Sequence, residues 1–155
     1  MFRPMRRFRQ QLSDDVCLRI LSEEKRGVLA LAGDDGYPYA VPMNFVFDGE
    51  VIYFHSALEG HRMDAISRCD KVSFCVTDRG EKPDDDWAYY VNSVIVFGRL
   101  HILEGEEKEK GLRLLGLKYF PSAEDVEEDL RKNAARCHCL QLQIEHMSGK
   151  RVHER

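Results

Sequence analysis

The sequence predicts a mainly β protein, a small antiparallel β-barrel with flanking helices. Three observations carry this. Runs of β-branched and aromatic residues alternate between turn dipeptides. These runs follow one another in hairpin order with no βαβαβ rhythm, which excludes a doubly wound sheet. Helical spacing is confined to the start, one short central segment and the last third.

Ser13 with Asp14 and Asp15 reads as a helix start, a capping side chain before acids that face the positive dipole end. Val16, Ile20 and Leu21 repeat at helical spacing, and Gly27 is expected to close the segment. Residues 28–32 read as a strand. Gly33-Asp34-Asp35-Gly36 is then a tight turn whose residues tolerate positive φ. Residues 39–47 and 51–55 are strands joined through Asp48-Gly49, a strong hairpin signal. Pro42 removes an amide donor, so its strand is an edge or is bulged there.

Residues 60 to about 68 read as a helix with Met63 and Ile66 inward. Residues 71–77 form a strand with Val72, Phe74 and Val76 on one face, and 78–86 a polar loop. A long β segment covers 89–103. Leu112, Leu115 and Tyr119 place a helix over 108–119, stopped by Pro121. Ser122 or Ala123 opens another helix to about residue 132, with Glu124 and Asp125 in its first turn. Leu140, Leu142 and Ile144 alternate with polar residues in a final half-exposed strand.

At 155 residues, one domain over 1–155 is expected. The net charge of −4 argues against general nucleic-acid binding. No apolar run approaches the about 20 residues a membrane helix needs, and no signal segment is evident, so a cytoplasmic location is expected. Arg3, Arg6, Arg7 and Arg9 form a basic arm, read as packing on the domain or on a partner subunit. Cys17, Cys69, Cys75, Cys137 and Cys139 are odd in number and lack a disulfide-scaffold spacing, so reduced thiols are expected.

The most informative stretch is Tyr53-Phe54-His55-Ser56-Ala57-Leu58-Glu59-Gly60-His61-Arg62. A strand breaks through small residues and re-enters as a helix with a cation in its first turn. Helix amides, the Ser56 hydroxyl and the Arg62 guanidinium suit a phosphate monoester, and Gly60 lets the backbone approach. A surface helix cap is the plainer alternative. His55 and His61 are six apart across a turn, and Cys137-His138-Cys139 lacks a second pair, so no metal site is expected. Ser56 lacks the glycine pattern of a nucleophile elbow. In Pro38-Tyr39-Ala40-Val41-Pro42-Met43-Asn44, a proline-interrupted strand offers free backbone groups to the polar edge of a flat ring, or is simply a protected edge.

Together, residues 36–44, the His55-Ser56-Ala57 and Gly60-His61-Arg62 segments, and Ser93-Val94-Ile95-Val96-Phe97-Gly98 resemble the pyridoxamine 5′-phosphate oxidase-like superfamily. The likeness is strongest to its nitroimidazole-resistance branch, which Met5-Arg6-Arg7 and Ser148-Gly149-Lys150 also resemble. The resemblance implies an FMN-binding split barrel that is a homodimer, with flavin at the subunit interface. It implies that Ser56 and Arg62 hold the FMN phosphate, aided by Ala57, Gly60 and His61. Val41, Pro42, Met43 and Asn44 would lie along the ring, His55 would sit at the turn beneath it as the catalytic candidate, and Ser93 would contact flavin from the same or the second subunit. Two departures stand out: Arg62 replaces an expected lysine, and Val91 an expected tyrosine.

The function so implied is a flavin-dependent oxidoreductase that reduces a small electrophile, such as a nitroaromatic, with electrons from a reduced nicotinamide. The alternatives are an FMN-binding or redox-sensing protein without turnover, a heme-binding split barrel, and an interaction module with a degenerate cleft.

Overall fold

In the computed structural model the described residues are 1–153, so the last two positions of the expected domain lie outside them. The chain runs α1 (Asp14–Glu23), β1 (Arg26–Ala32), β2 (Pro38–Asn44), β3 (Val46–Phe47), β4 (Val51–Ala57), α2 (His61–Arg68), β5 (Lys71–Thr77), β6 (Tyr90–Leu103), α3 (Gly105–Tyr119), α4 (Ala123–Asn133) and β7 (Cys137–His153). One seven-stranded sheet has the order β2-β1-β5-β6-β7-β4-β3, every neighbouring pair antiparallel. This is the split barrel that the sequence predicts, mainly β with helices around it.

Alternation decides which face is inside. Leu29 and Leu31 of β1, Val72, Phe74 and Val76 of β5, and Ile52 and Phe54 of β4 all point into the barrel. The Phe74 ring sits at the centre, edge-on to Phe45 at 4.9 Å and to Phe54 at 5.0 Å, the geometry aromatic quadrupoles favour. Cys17, Ile20 and Leu21 of α1 and Met63, Ala65 and Ile66 of α2 complete this core. A second cluster lies on the outer face, where α3 lays Leu115 over Tyr53, Leu103 and Cys139.

Some boundaries differ from the sequence reading, each for a physical reason. Gly27 does not cap α1, whose C-cap is Glu24. It lies in β1, where an added Cβ would be 2.4 Å from Phe74 Cζ. Pro42 is in an edge strand, but the β1–β2 register runs without interruption, so no bulge forms there. The irregularity falls instead between Phe97 and Gly98, where a Cβ on Gly98 would stand 2.0 Å from the Gln143 carbonyl oxygen. α3 starts at Gly105 because Glu106 and Glu107 favour its positive end, ahead of the apolar repeat. β7 is far longer than expected: β6 offers it hydrogen-bonding partners from Leu103 back to Tyr90, so its polar half pairs too.

The expected single strand over 39–47 is broken at Phe45, between β2 and β3. The two ends of the sheet are thus consecutive in sequence but not paired with each other. Phe45 is fully buried there, outside the ladders. Its backbone is satisfied by one side chain: the Tyr119 hydroxyl accepts from the Phe45 N–H at 2.9 Å. That hydroxyl's own proton is donated to the carbonyl of Phe45, at 2.8 Å, or of Lys25. Tyr119→Phe should therefore cost about 1–3 kcal/mol for each buried group it orphans. A urea denaturation midpoint within error of the parent would refute this.

Candidate functional site

The His55–Arg62 segment spans the end of β4, a small-residue turn and the start of α2. Gly60, at the helix N-cap, has φ 115°, a value that favours glycine. Nothing lies within 4 Å of where its Cβ would stand, so the requirement is conformational and the space before the helix is open.

Ser56 and Arg62 come together: an Arg62 Nη donates to Ser56 Oγ at 3.2 Å. Ser56 is only 3% exposed, so its first task is to hold the guanidinium. Arg62 Nε is buried and has no partner. His61 stacks on Tyr39 of β2, ring centroids 4.2 Å apart, with Nε2 3.5 Å from an Asp34 carboxylate oxygen. Arg68 pairs with the same Asp34 at 2.5 Å. The β1–β2 turn therefore clasps both ends of α2 and fixes the direction of Arg62. An unpartnered guanidinium N–H beside a helix N-terminus is equipped to hold an anion.

His55 is not at the turn. It remains in β4, and the pleat sends its side chain to the face opposite Ser56. There it lines a cleft of about 420 Å³ between the sheet and α3 and α4, together with Asn44. Within the expected ring-binding strand, the side chains divide. Met43 is buried in the core and Val41 packs against it, while Pro42 is exposed and Asn44 partly so. Asn44 Oδ1 accepts from Arg26 Nε at 3.1 Å. Ser93 lies on β6, opposite Thr77 and Lys150, and β7 separates it from His55 on β4 in the sheet order.

The sequence reading missed Tyr39 and Asp34, which support α2, although both sat inside segments it singled out. It also missed the helical wall of the cleft: Leu112 and Leu115, whose spacing read only as core, and Leu130 and Arg136, which carried no ligand signal; Cys137, weighed only as a metal ligand, lines it too.

The thiols near the cleft are poor nucleophiles. Burial pushes the Cys137 thiol above its ordinary range and Cys139 up to about 12. Among the described residues, no three His, Cys, Asp or Glu side chains converge on a metal position. Because the Cys139 value in the folded state lies above the ordinary 9.0, its contribution to stability is full below pH 9 and is lost as pH rises toward 12. Denaturation midpoints measured across that window should fall less steeply in Cys139→Ala than in the parent; parallel curves would contradict the assignment.

Residues 13–151 match the family described as pyridoxamine 5′-phosphate oxidase. No functionally curated protein matches. Solved structures share the fold. A protein from Bacteroides thetaiotaomicron, described as a candidate 5-nitroimidazole antibiotic resistance protein, superposes with a TM-score of 0.77 at 20% identity, over 92% of this chain and 87% of that one. A FAD-binding protein from Mesorhizobium loti gives 0.67 at 23% identity, over 92% and 96%. A FAD and heme binding protein from Mycobacterium smegmatis gives 0.75 at 21%, over 91% and 72%. With that match running from the start of α1 nearly to the end of β7, the chain belongs to the pyridoxamine 5′-phosphate oxidase family.

Proposed function

We propose that the protein is an FMN-binding oxidoreductase that passes electrons from a reduced nicotinamide to a small electrophile such as a nitroaromatic. The observation that carries this is the Arg62 guanidinium, held by Ser56 at the N-terminus of α2 with a buried N–H left without an acceptor. That donor set fits the terminal phosphate of FMN. The backbone at Ala57, Gly60 and His61 would add amide donors, and φ at Gly60 keeps that approach clear. The free edge of β2, from Val41 through Pro42 and Met43 to Asn44, would flank the ring; Met43 contributes through its backbone, since its side chain is in the core. Fold relatives described as FAD-binding, and as binding FAD and heme, support a flavin.

Bound flavin supplies the redox chemistry, and the chain's share is to hold the phosphate, support the ring and receive the substrate. His55, on the outer face of β4, is the side chain placed to meet a substrate that reaches the ring from the cleft.

A homodimer is part of the proposal. Val28, Cys75 and Ile95 form one cross-strand row that continues to Ser148, and Phe97 lies on the next. Val28, Ile95 and Phe97 are each about 40% exposed on the part of the outer face away from α3, where the Phe2 ring lies 5.5 Å from that of Phe97. A second copy seated there would hide this apolar strip. Ser93 shares the same face of β6, two residues from Ile95, and would then reach the second copy's flavin.

Two measurements test the proposal. In an absorbance titration, FMN should bind at least tenfold more tightly than riboflavin, which lacks the phosphate, and Arg62→Ala should erase that difference. NADH or NADPH should then bleach the bound flavin. A colourless protein that gains no flavin absorbance, or one that gives only a Soret band with hemin, overturns the proposal. Sedimentation should separately show a dimer that Ile95→Glu converts to a monomer; a monomeric parent would remove the shared-site arrangement.

A further inference from the structure

Of the Cys137-His138-Cys139 run, only the histidine turns to the inner face of the barrel. Alternation along β7 fixes this: Cys139 is buried in the outer cluster and Leu140 in the inner core. In the β4–β7 ladder His138 stands directly opposite Ser56. Residues so opposed share a face, with Cβ atoms about 5 Å apart. The inner row of this strand pair is apolar through Ile52–Leu142 and Phe54–Leu140, all four fully buried. It turns polar only at its last rung, Ser56 and His138.

The core ends at the same level on the next strand. Leu100 and Ile102 of β6 pair with Leu142 and Leu140 and so face inward as well. Leu100 is 3% exposed and Ile102 43% exposed, so the mouth opens between them, and His138, itself partly exposed, stands at its lip. Arg62 reaches this rung from α2, where its Nη donates to Ser56 Oγ at 3.2 Å. Three elements far apart in the sheet order or the sequence thus bring an imidazole, a hydroxyl and a guanidinium to one lip.

These three side chains do not satisfy one another. Arg62 Nε is buried without a partner. Among the described residues, His138 has no side-chain hydrogen bond, and neither His138 nor Arg62 is paired with a carboxylate. Water alone would suffice for a histidine at a rim, but it does not reach the buried Nε. An anion seated beside Ser56 accepts from both basic side chains at once.

We propose that His138 is a third side chain of the anion site, donating a ring N–H to a phosphate monoester that Arg62 also holds. A neutral imidazole keeps one N–H, so the contact does not require the charged form. That the phosphate is the one carried by FMN rests on the flavin reading above. That His138 meets an anion together with Arg62 rests on the shared rung.

Long-range proton–nitrogen NMR of the histidine rings, with inorganic phosphate and then FMN added, tests this on the unaltered protein. The His138 nitrogens, assigned by their loss in His138→Asn, should shift saturably with either ligand and stay in place with riboflavin. The phosphate response should vanish in Arg62→Ala. In an absorbance titration His138→Phe should weaken FMN about tenfold, the size of one hydrogen bond, and leave riboflavin unchanged. His138→Asn, which keeps a side-chain N–H, should recover most of that loss. Ring nitrogens unmoved at saturating phosphate and FMN, or an unchanged preference for FMN over riboflavin in His138→Phe, overturn the proposal and leave the flavin reading intact. A phosphate response at His138 in protein that takes up no FMN overturns the flavin reading alone. Protein that responds to neither ligand overturns both.

Discussion

Everything in this fold turns on how a sheet that does not close satisfies its own backbone at the opening. The chain passes from β2 to β3 through a single residue, Phe45, buried and outside either ladder. A buried N–H and C=O without partners would cost several kcal/mol together, of the order of a small domain's whole stability margin. The Tyr119 hydroxyl meets that need, and to do so α3 must end against the opening. Lys118, its neighbour, reinforces the position by donating to the Glu24 carbonyl at 2.5 Å, with its ammonium 4.2 Å from the Phe45 ring centroid. Burial lowers the Lys118 pKa to about 8, while the ring and the carbonyl favour the charged form. The same contact that seals the seam therefore creates the cleft, because it holds α3 and the following α4 off the sheet at His55.

The pleat of β4 then divides the chemistry. A period of two residues places Phe54 and Ser56 inside and Tyr53 and His55 outside. One strand thereby serves two compartments: Ser56 orients Arg62 at the barrel mouth, and His55 faces the helical cleft. A one-residue slip in the β4–β7 register would exchange them, placing an imidazole against Arg62 and a serine in the cleft. The buried Ile52–Leu142 and Phe54–Leu140 pairs oppose such a slip, since it would turn Ile52 and Phe54 out of the core.

What the sequence revealed and what it hid follow from the range of each interaction. Period-two patterns, the Asp48-Gly49 turn and Pro42 at an edge are local signals, and they gave the barrel and its hairpins correctly. The Ser56–Arg62 contact was legible because a six-residue separation across a turn leaves little freedom. Phe45 as a break in β2 was not, since β-branched and aromatic neighbours continue through it and only the distant Tyr119 makes the break tolerable. The cleft was hidden for the same reason. Leu112, Leu130 and Arg136 meet His55 through tertiary packing between elements far apart in sequence. The full length of β7 depends likewise on β6, because its own polar half carries no apolar alternation.

The replacement of an expected lysine by arginine at position 62 now has a physical reading. A lysine ammonium is a compact point charge on a flexible stem, and it could satisfy Ser56 and an anion only by sharing three donors from one nitrogen. A guanidinium separates those tasks. One Nη atom is committed to Ser56, which fixes the plane of the fork, and the remaining N–H groups keep their directions. Of the buried side-chain polar atoms without a partner among the described residues, Gln10 Oε1 and Asn92 Oδ1 are acceptors, and Arg62 Nε is the one donor and the one that carries charge. An unpaired, buried, charged donor is destabilising in isolation. In the proposed FMN complex the phosphate would offset that cost, and part of its binding free energy would then come from a hydrogen bond left unmet in the folded chain.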